Sequence, residues 1–152
     1  AYGIPVTLLF NKVDEYTPEM EAVQQELAAL YAPLGYGSVR ASALAGGAAV
    51  AEVRALLAGR VSLLAGHSGV GKSTLVNALI PGVEAQTAEI SAFSDKGVHT
   101  TTAAELYAVA ATSDLIDTPG IKELGVVDIG EAELSHYFPE MRALLNTCRY
   151  HN

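Results

Sequence analysis

Eight consecutive residues, Gly66-His67-Ser68-Gly69-Val70-Gly71-Lys72-Ser73, set three glycines, a lysine and a hydroxyl at the spacing of a loop that holds phosphate. In such a loop successive backbone N–H groups point inward around an anion. That requires glycine at Gly66, Gly69 and Gly71, where a side chain would collide or φ must be positive. Lys72 is placed to reach the β and γ phosphates and Ser73 to put its hydroxyl on Mg²⁺, while a helix starting here adds a field that favours the anion. Ser68, Val70 and Thr74 belong to the same phosphate-contacting stretch. A second group, Asn11-Lys12-Val13-Asp14, carries base-reading chemistry. The two carboxylate oxygens of Asp14 can accept from the N1–H and 2-amino groups of guanine, a pairing adenine cannot supply, so GTP is favoured over ATP. Asn11 would tie its strand end to the phosphate loop and the base edge, and the stem of Lys12 would lie along the purine face. Ser42 and Ala43 read as a pair whose backbone N–H meets guanine O6, although a small-residue turn explains them equally well when they are taken alone. Asp117, after an apolar strand, matches a carboxylate that holds Mg²⁺ through water, and Gly120 can offer its N–H to the γ phosphate.

The order of these groups is as informative as their content. A chain of ordinary nucleotide-switch connectivity begins with the phosphate loop and ends with the base reader. Here the base reader leads, then come the phosphate loop, a Thr-rich stretch and Asp117-Thr118-Pro119-Gly120. The same parts cut at a different loop make a circularly permuted GTPase. The Thr-rich stretch, Lys96-Gly97-Val98-His99-Thr100-Thr101-Thr102, is where a threonine is expected to close on Mg²⁺ and the γ phosphate. Thr101 is the first choice, with Thr100 and Thr102 as alternatives, because spacing does not fix the register. Ile121 follows the Asp117 motif at a position where a glutamine often orients the attacking water, and an apolar side chain has no means to do so. His99 is the candidate replacement, set against the reading of an exposed loop histidine with no role. The catalytic set read from the sequence is therefore Lys72, His99 and Thr101, and the Mg²⁺ set is Ser73, Thr101 and Asp117.

The elements that must position these groups follow from periodicity. Val6-Thr7-Leu8-Leu9-Phe10 is a short apolar run of the kind buried in a parallel sheet. Thr17-Pro18 reads as a cap followed by proline in the first helical turn, with Glu19 and Glu21 suited to the helix dipole, and the helix should run to about Leu30. A second strand is expected around Ser38 to Ala41, a helix over Ala48 to Leu57, and a third strand over Val61 to Ala65 that feeds the phosphate loop and a helix from Lys72 to Leu79. Pro81 to Thr102 has no clear period and reads as a mobile loop. Ala104 to Ala110 and Leu115 to Asp117 read as strands. The expected class is α/β: a three-layer P-loop NTPase with a mainly parallel sheet, in circularly permuted GTPase topology, with ligand at the carboxyl ends of the strands.

Composition narrows the functional classes. A length of 152 residues with 50% apolar content suits one domain with a core of its own. The formal charge of −8 excludes a general basic surface, so unaided nucleic-acid binding is not expected. One cysteine permits no internal disulfide, and no apolar run is long enough to span a bilayer, which together predict a soluble cytoplasmic protein. No membrane partner is expected, and a monomer is.

Three stretches carry a resemblance to a known family: Gly66 to Asn77 (G-H-S-G-V-G-K-S-T-L-V-N), Gly97 to Thr102 (G-V-H-T-T-T) and Asp117 to Gly125 (D-T-P-G-I-K-E-L-G). In their inverted order they closely resemble the ribosome small-subunit-dependent GTPase A family (RsgA type), and the similarity covers nearly the whole chain. Glu133 to Glu140 also resembles that family's segment leading out of its GTPase domain. The resemblance implies GTP hydrolysis to GDP in late maturation of the small ribosomal subunit, stimulated by the subunit. It divides the chain into a permuted GTPase domain over residues 1–147 and, over 148–152, the start of a C-terminal zinc-binding module, with the family's N-terminal OB-fold domain absent. Cys148 would be a zinc ligand in the longer protein, but one cysteine does not make a tetrahedral site and zinc is not expected here. Contacts with the subunit and its rRNA are assigned mainly to the absent domains. The family's basic residue between the glycine and histidine of the switch is Val98 in this chain.

Overall fold

The computed structural model describes residues 4–83, 85, 104–119, 130, 133–142, 144, 145 and 147. The chain opens with strand β1 (Thr7–Phe10), a 3-10 turn at Val13–Glu15 and helix α1 (Pro18–Tyr31), followed by β2 (Gly37–Arg40) and α2 (Gly47–Leu57). Strand β3 (Val61–Leu64) leads into α3 (Lys72–Leu79), and β4 (Glu105–Ala110) and β5 (Ser113–Asp117) form a hairpin. Two short helices, α4 (Leu134–Tyr137) and α5 (Pro139–Arg142), come last among the described elements. The α/β class and every expected strand and helix of the nucleotide site are present.

Local chemistry sets the boundaries. The Thr17 side chain accepts from Met20 N–H at 3.4 Å and Pro18 opens α1, where its missing N–H costs nothing. The helix reaches Tyr31, one residue beyond the expected end, and tightens into a 3-10 turn over Ala32–Leu34 that Gly35 closes at φ 87°. That left-handed conformation favours glycine.

Strand pairing falls into two sheets among the described residues. One holds β1 parallel to β2, and the other has the order β3-β5-β4, with β3 parallel and β4 antiparallel to β5. The register of the second sheet aligns Ser62, Leu115 and Tyr107 in one row and Leu64, Asp117 and Glu105 in the next, on the face that meets the core. Leu63, Ile116 and Leu106 align on the opposite face.

The core lies where α2 and α3 cover the first of these faces. Leu75, Val76 and Leu79 of α3 are at most 1% exposed, and they pack with Val50, Val53 and Leu57 of α2, Val39 of β2 and Leu115 of β5. Burial of these side chains is the main stabilising term, about 1.5–3 kcal/mol each. Polar groups then lock the joints. Arg54 donates to the Leu79 carbonyl at 2.6 Å, satisfying one orphan acceptor at the end of α3. The Ser113 hydroxyl accepts from Gly59 N–H at 2.8 Å, and Asp114 N–H donates to the Arg60 carbonyl at 3.0 Å, fixing the turn before β3 against β5.

The loop expected from Pro81 onward is anchored at its start. Asn77 donates to the Ala85 carbonyl at 3.1 Å and accepts from Ala85 N–H at 2.7 Å, and Ala85 is buried. A side-chain amide can mimic a strand partner in this way. No helix among the described residues is long and apolar enough to cross a membrane.

Candidate functional site: a nucleotide pocket split between two sheets

The phosphate loop leaves β3 and enters α3, the strand–loop–helix context that phosphate binding needs. Gly69 has φ 81° and Gly71 φ 91°, both in the left-handed region. Gly71 is the more constrained of the two, because a Cβ there would lie 2.5 Å from Asn11 Nδ2. Gly66 has ordinary φ, and a Cβ on it would approach Val70 Cγ2 to 3.2 Å. Lys72 donates to the carbonyls of Gly66 at 2.8 Å and His67 at 3.0 Å, so its ammonium sits across the mouth of the loop. Ser68, Val70 and Thr74 lie on the same loop and first helical turn.

The carboxylate expected to hold the metal meets the hydroxyl expected to share it. Ser73 Oγ donates to Asp117 Oδ2 at 3.3 Å. Asp117 is 1% exposed, and its Oδ1 has no hydrogen-bond partner among the described residues. Burial pushes its carboxyl above the usual value, opposed by the hydrogen bond from Ser73, the nearby Lys72 ammonium and the Thr118 N–H, while the Glu105 charge opposite raises it further. An orphaned, buried carboxylate oxygen beside a serine hydroxyl fits a hard divalent cation, whose charge would offset the desolvation. Thr118 Oγ1 donates to the Leu64 carbonyl at 2.8 Å and so holds the end of β5 to the end of β3. Nothing in the residue type of Thr118 or its local pattern signals that contact. At the facing strand end the Tyr107 hydroxyl donates to Glu105, and this bond pushes the phenol up to about 12.

The base-reading motif belongs to the other sheet. Val13 N–H donates to the Ala41 carbonyl at 3.2 Å, which pins the turn carrying Asp14 beside Ser42 and Ala43. Lys12 takes φ 60°, the single positive φ outside glycine among the described residues. A lysine held in the left-handed region costs about 1–2 kcal/mol, strain that tends to sit at functional positions. The Asp14 side chain is exposed, whereas Ser42 is buried and accepts from Ala45 N–H at 3.0 Å.

Asn11 joins the halves. Its Nδ2 donates to the Val70 carbonyl of the phosphate loop at 3.0 Å, and its Oδ1 accepts from Ala43 N–H at 3.3 Å. The base-reading stretch and the phosphate loop, on different sheets, thus meet at one side chain. Among the remaining candidates, His99, Thr101 with its alternatives Thr100 and Thr102, Gly120 and Cys148 lie outside the described residues.

The sequence model of the RsgA GTPase family matches residues 1–127. The chain belongs to the RsgA GTPase family. The small ribosomal subunit biogenesis GTPase RsgA of Bacteroides fragilis is 50% identical over all 152 residues, which cover 49% of that protein. Its counterpart in Porphyromonas gingivalis is 46% identical over the whole chain and is also covered to 49%. The crystal structure of YjeQ from Thermotoga maritima aligns with a TM-score of 0.70 at 35% identity, over 91% of this chain and 44% of that one. The chain spans about half the length of the curated relatives it matches. Membership of this family agrees with the permuted motif order.

Proposed function

We propose that this chain is the Mg²⁺-dependent, GTP-hydrolysing part of a protein that acts in late maturation of the small ribosomal subunit. The observation that carries the reading is Asn11, whose one side chain is hydrogen-bonded to both the phosphate loop and the base-reading turn. A single guanine nucleotide spanning those two places accounts for why they converge. In this reading Asp14 takes the guanine edge, the stem of Lys12 lies along the purine face, and the Ser42–Ala43 pair offers a backbone N–H to guanine O6, with the Ala43 N–H shared with Asn11 Oδ1. The N–H groups of Gly66 to Thr74 and the Lys72 ammonium hold the phosphates and stabilise charge as the γ phosphoryl group leaves. Ser73 and Asp117 would hold Mg²⁺, with Thr101 closing from the switch and Gly120 donating to the γ phosphate. The bound ion would supply neutralisation of the charge that develops on the phosphates.

His99 takes the part of orienting water, since Ile121 offers no polar atom. With no glutamine at that position, intrinsic turnover is slow and the subunit supplies the stimulation. Docking on rRNA falls mainly to the half of the longer polypeptide that this chain does not span. The relatives named as small-subunit biogenesis GTPases support that partner, and the acidic balance here is compatible with it. Cys148 is a zinc ligand only within the longer protein.

Hydrolysis by the full-length protein with and without purified small subunits tests substrate, reaction and partner together. The expected result is slow release of phosphate from GTP, strong stimulation by subunits, and loss of roughly 10²–10³-fold in kcat for Lys72→Ala. Stimulated turnover unchanged by Lys72→Ala would remove the proposed chemistry.

A further inference from the structure

Two carboxylates face each other across the ligand end of the second sheet. In the antiparallel ladder of β4 and β5, Glu105 lies directly opposite Asp117, and side chains in such a pair share a face with Cβ atoms about 5 Å apart. That face is the one on which Ser73 Oγ meets Asp117 Oδ2. Tyr107, two residues along β4 and therefore on the same side, packs against the core and donates its hydroxyl to Glu105. Like charges set opposite on neighbouring strands are destabilising, and here one of them, Asp117, is 1% exposed with Oδ1 unpartnered among the described residues. The Glu105 charge acts on Asp117 in the unfavourable sense. An exposed glutamate is free to turn toward solvent, but the phenol holds this one on the strand.

We propose that Glu105, held by Tyr107, is a positioning residue of the Mg²⁺ site: an outer carboxylate that adds negative charge to the Ser73–Asp117 pair without being a ligand itself. This rests on the proposed function, which gives those two residues the ion. A divalent cation relieves the conflict between the facing carboxylates, because each attracts it while repelling the other. Groups outside the direct ligands commonly tune metal affinity in this way. The same charge repels the phosphates of a nucleotide bound without metal. Glu105 thereby ties the two ligands together, favouring the metal complex over the bare nucleotide. Position, not motif, marks the residue, since only the strand register brings it opposite Asp117.

Glu105→Gln removes the charge and keeps an acceptor for Tyr107, so it separates electrostatics from packing. Mg²⁺ is titrated calorimetrically into the full-length protein carrying one equivalent of GDP, and GDP affinity is measured separately in EDTA. Mg²⁺ affinity should fall roughly tenfold, the low end of the range for groups outside the direct ligands because Glu105 is exposed, while GDP affinity in EDTA stays the same or tightens. Asp114→Asn, which removes a like charge from the opposite face of β5, should change neither. Unchanged Mg²⁺ affinity in Glu105→Gln would overturn the proposal. So would an equal loss in Asp114→Asn, which makes the effect one of overall charge, or a matching loss of GDP affinity in EDTA, which makes Glu105 a structural residue. A wild-type protein that binds no GDP would instead sink the guanine-nucleotide reading itself, and the proposal with it.

Discussion

Replacing Gly71 with alanine should cost more than backbone strain alone, and the excess should vanish when Asn11 is also removed. At φ 91° a non-glycine residue pays about 1–2 kcal/mol. Its new Cβ would lie 2.5 Å from Asn11 Nδ2, so the amide must swing away from the Val70 carbonyl, to which it now donates at 3.0 Å. Losing that bond adds about 1 kcal/mol, for a total of about 2–3 kcal/mol. In a domain of this size that lowers the melting temperature by roughly 5–10 °C. In the Asn11→Ala background neither the clash nor the bond exists, and Gly71→Ala should cost only the strain. The two substitutions should therefore couple by about 1 kcal/mol, above the ~0.3–0.5 kcal/mol scatter of independent sites. Urea titrations of the wild type, both single variants and the double variant, all without nucleotide, measure the coupling. Strict additivity would refute the idea that Asn11 and the phosphate loop are mechanically one unit.

Other outcomes follow from the same geometry. Asp14→Asn should weaken guanine nucleotides by about 1–3 kcal/mol, the worth of a bidentate base contact, and favour xanthine nucleotides, whose C2 carbonyl accepts from the new amide; competition binding decides, and unchanged base preference would count against Asp14. For Asp117, whose carboxyl is raised above 3.8 in the folded state, the native state holds its proton more tightly than the unfolded chain. The nucleotide-free protein should thus lose stability as pH climbs from 3.8 through the raised value, and Asp117→Asn should remove that component of the slope; identical slopes in both proteins would contradict it. Leu75→Ala, at a site 1% exposed in the middle of α3, should cost about 2–5 kcal/mol in denaturant titrations, and a loss under about 1 kcal/mol would mean the core closes over the gap.

Much of the site was legible because its chemistry demands unusual residue patterns. Gly69, Gly71, Lys72 and Ser73 betray a phosphate loop by composition, and Thr17-Pro18 betrays a helix start. What escaped was set by tertiary contact. Asn77 clipping Ala85, Thr118 reaching Leu64 and Arg54 capping α3 are single polar residues whose partners lie 8, 54 and 25 positions away, and no local pattern encodes such meetings. Lys12 in the left-handed region was equally hidden, since lysine carries no preference for it. The run Val61-Ser62-Leu63-Leu64 forms the expected third strand, and Val61 and Leu63 on one of its faces meet solvent, a difference between the two faces that periodicity did not reveal.

The ammonium of Lys72, parked on two carbonyls of its own loop, alters how capture of an anion should be counted. On the proposed reading, an incoming phosphate would not find a bare cation; it would compete with two neutral acceptors that Lys72 already holds. The net gain is the margin by which a charged oxygen outbids an amide carbonyl, a fraction of the full attraction. Those same two bonds tie the start of α3 back across the loop and hold its curvature.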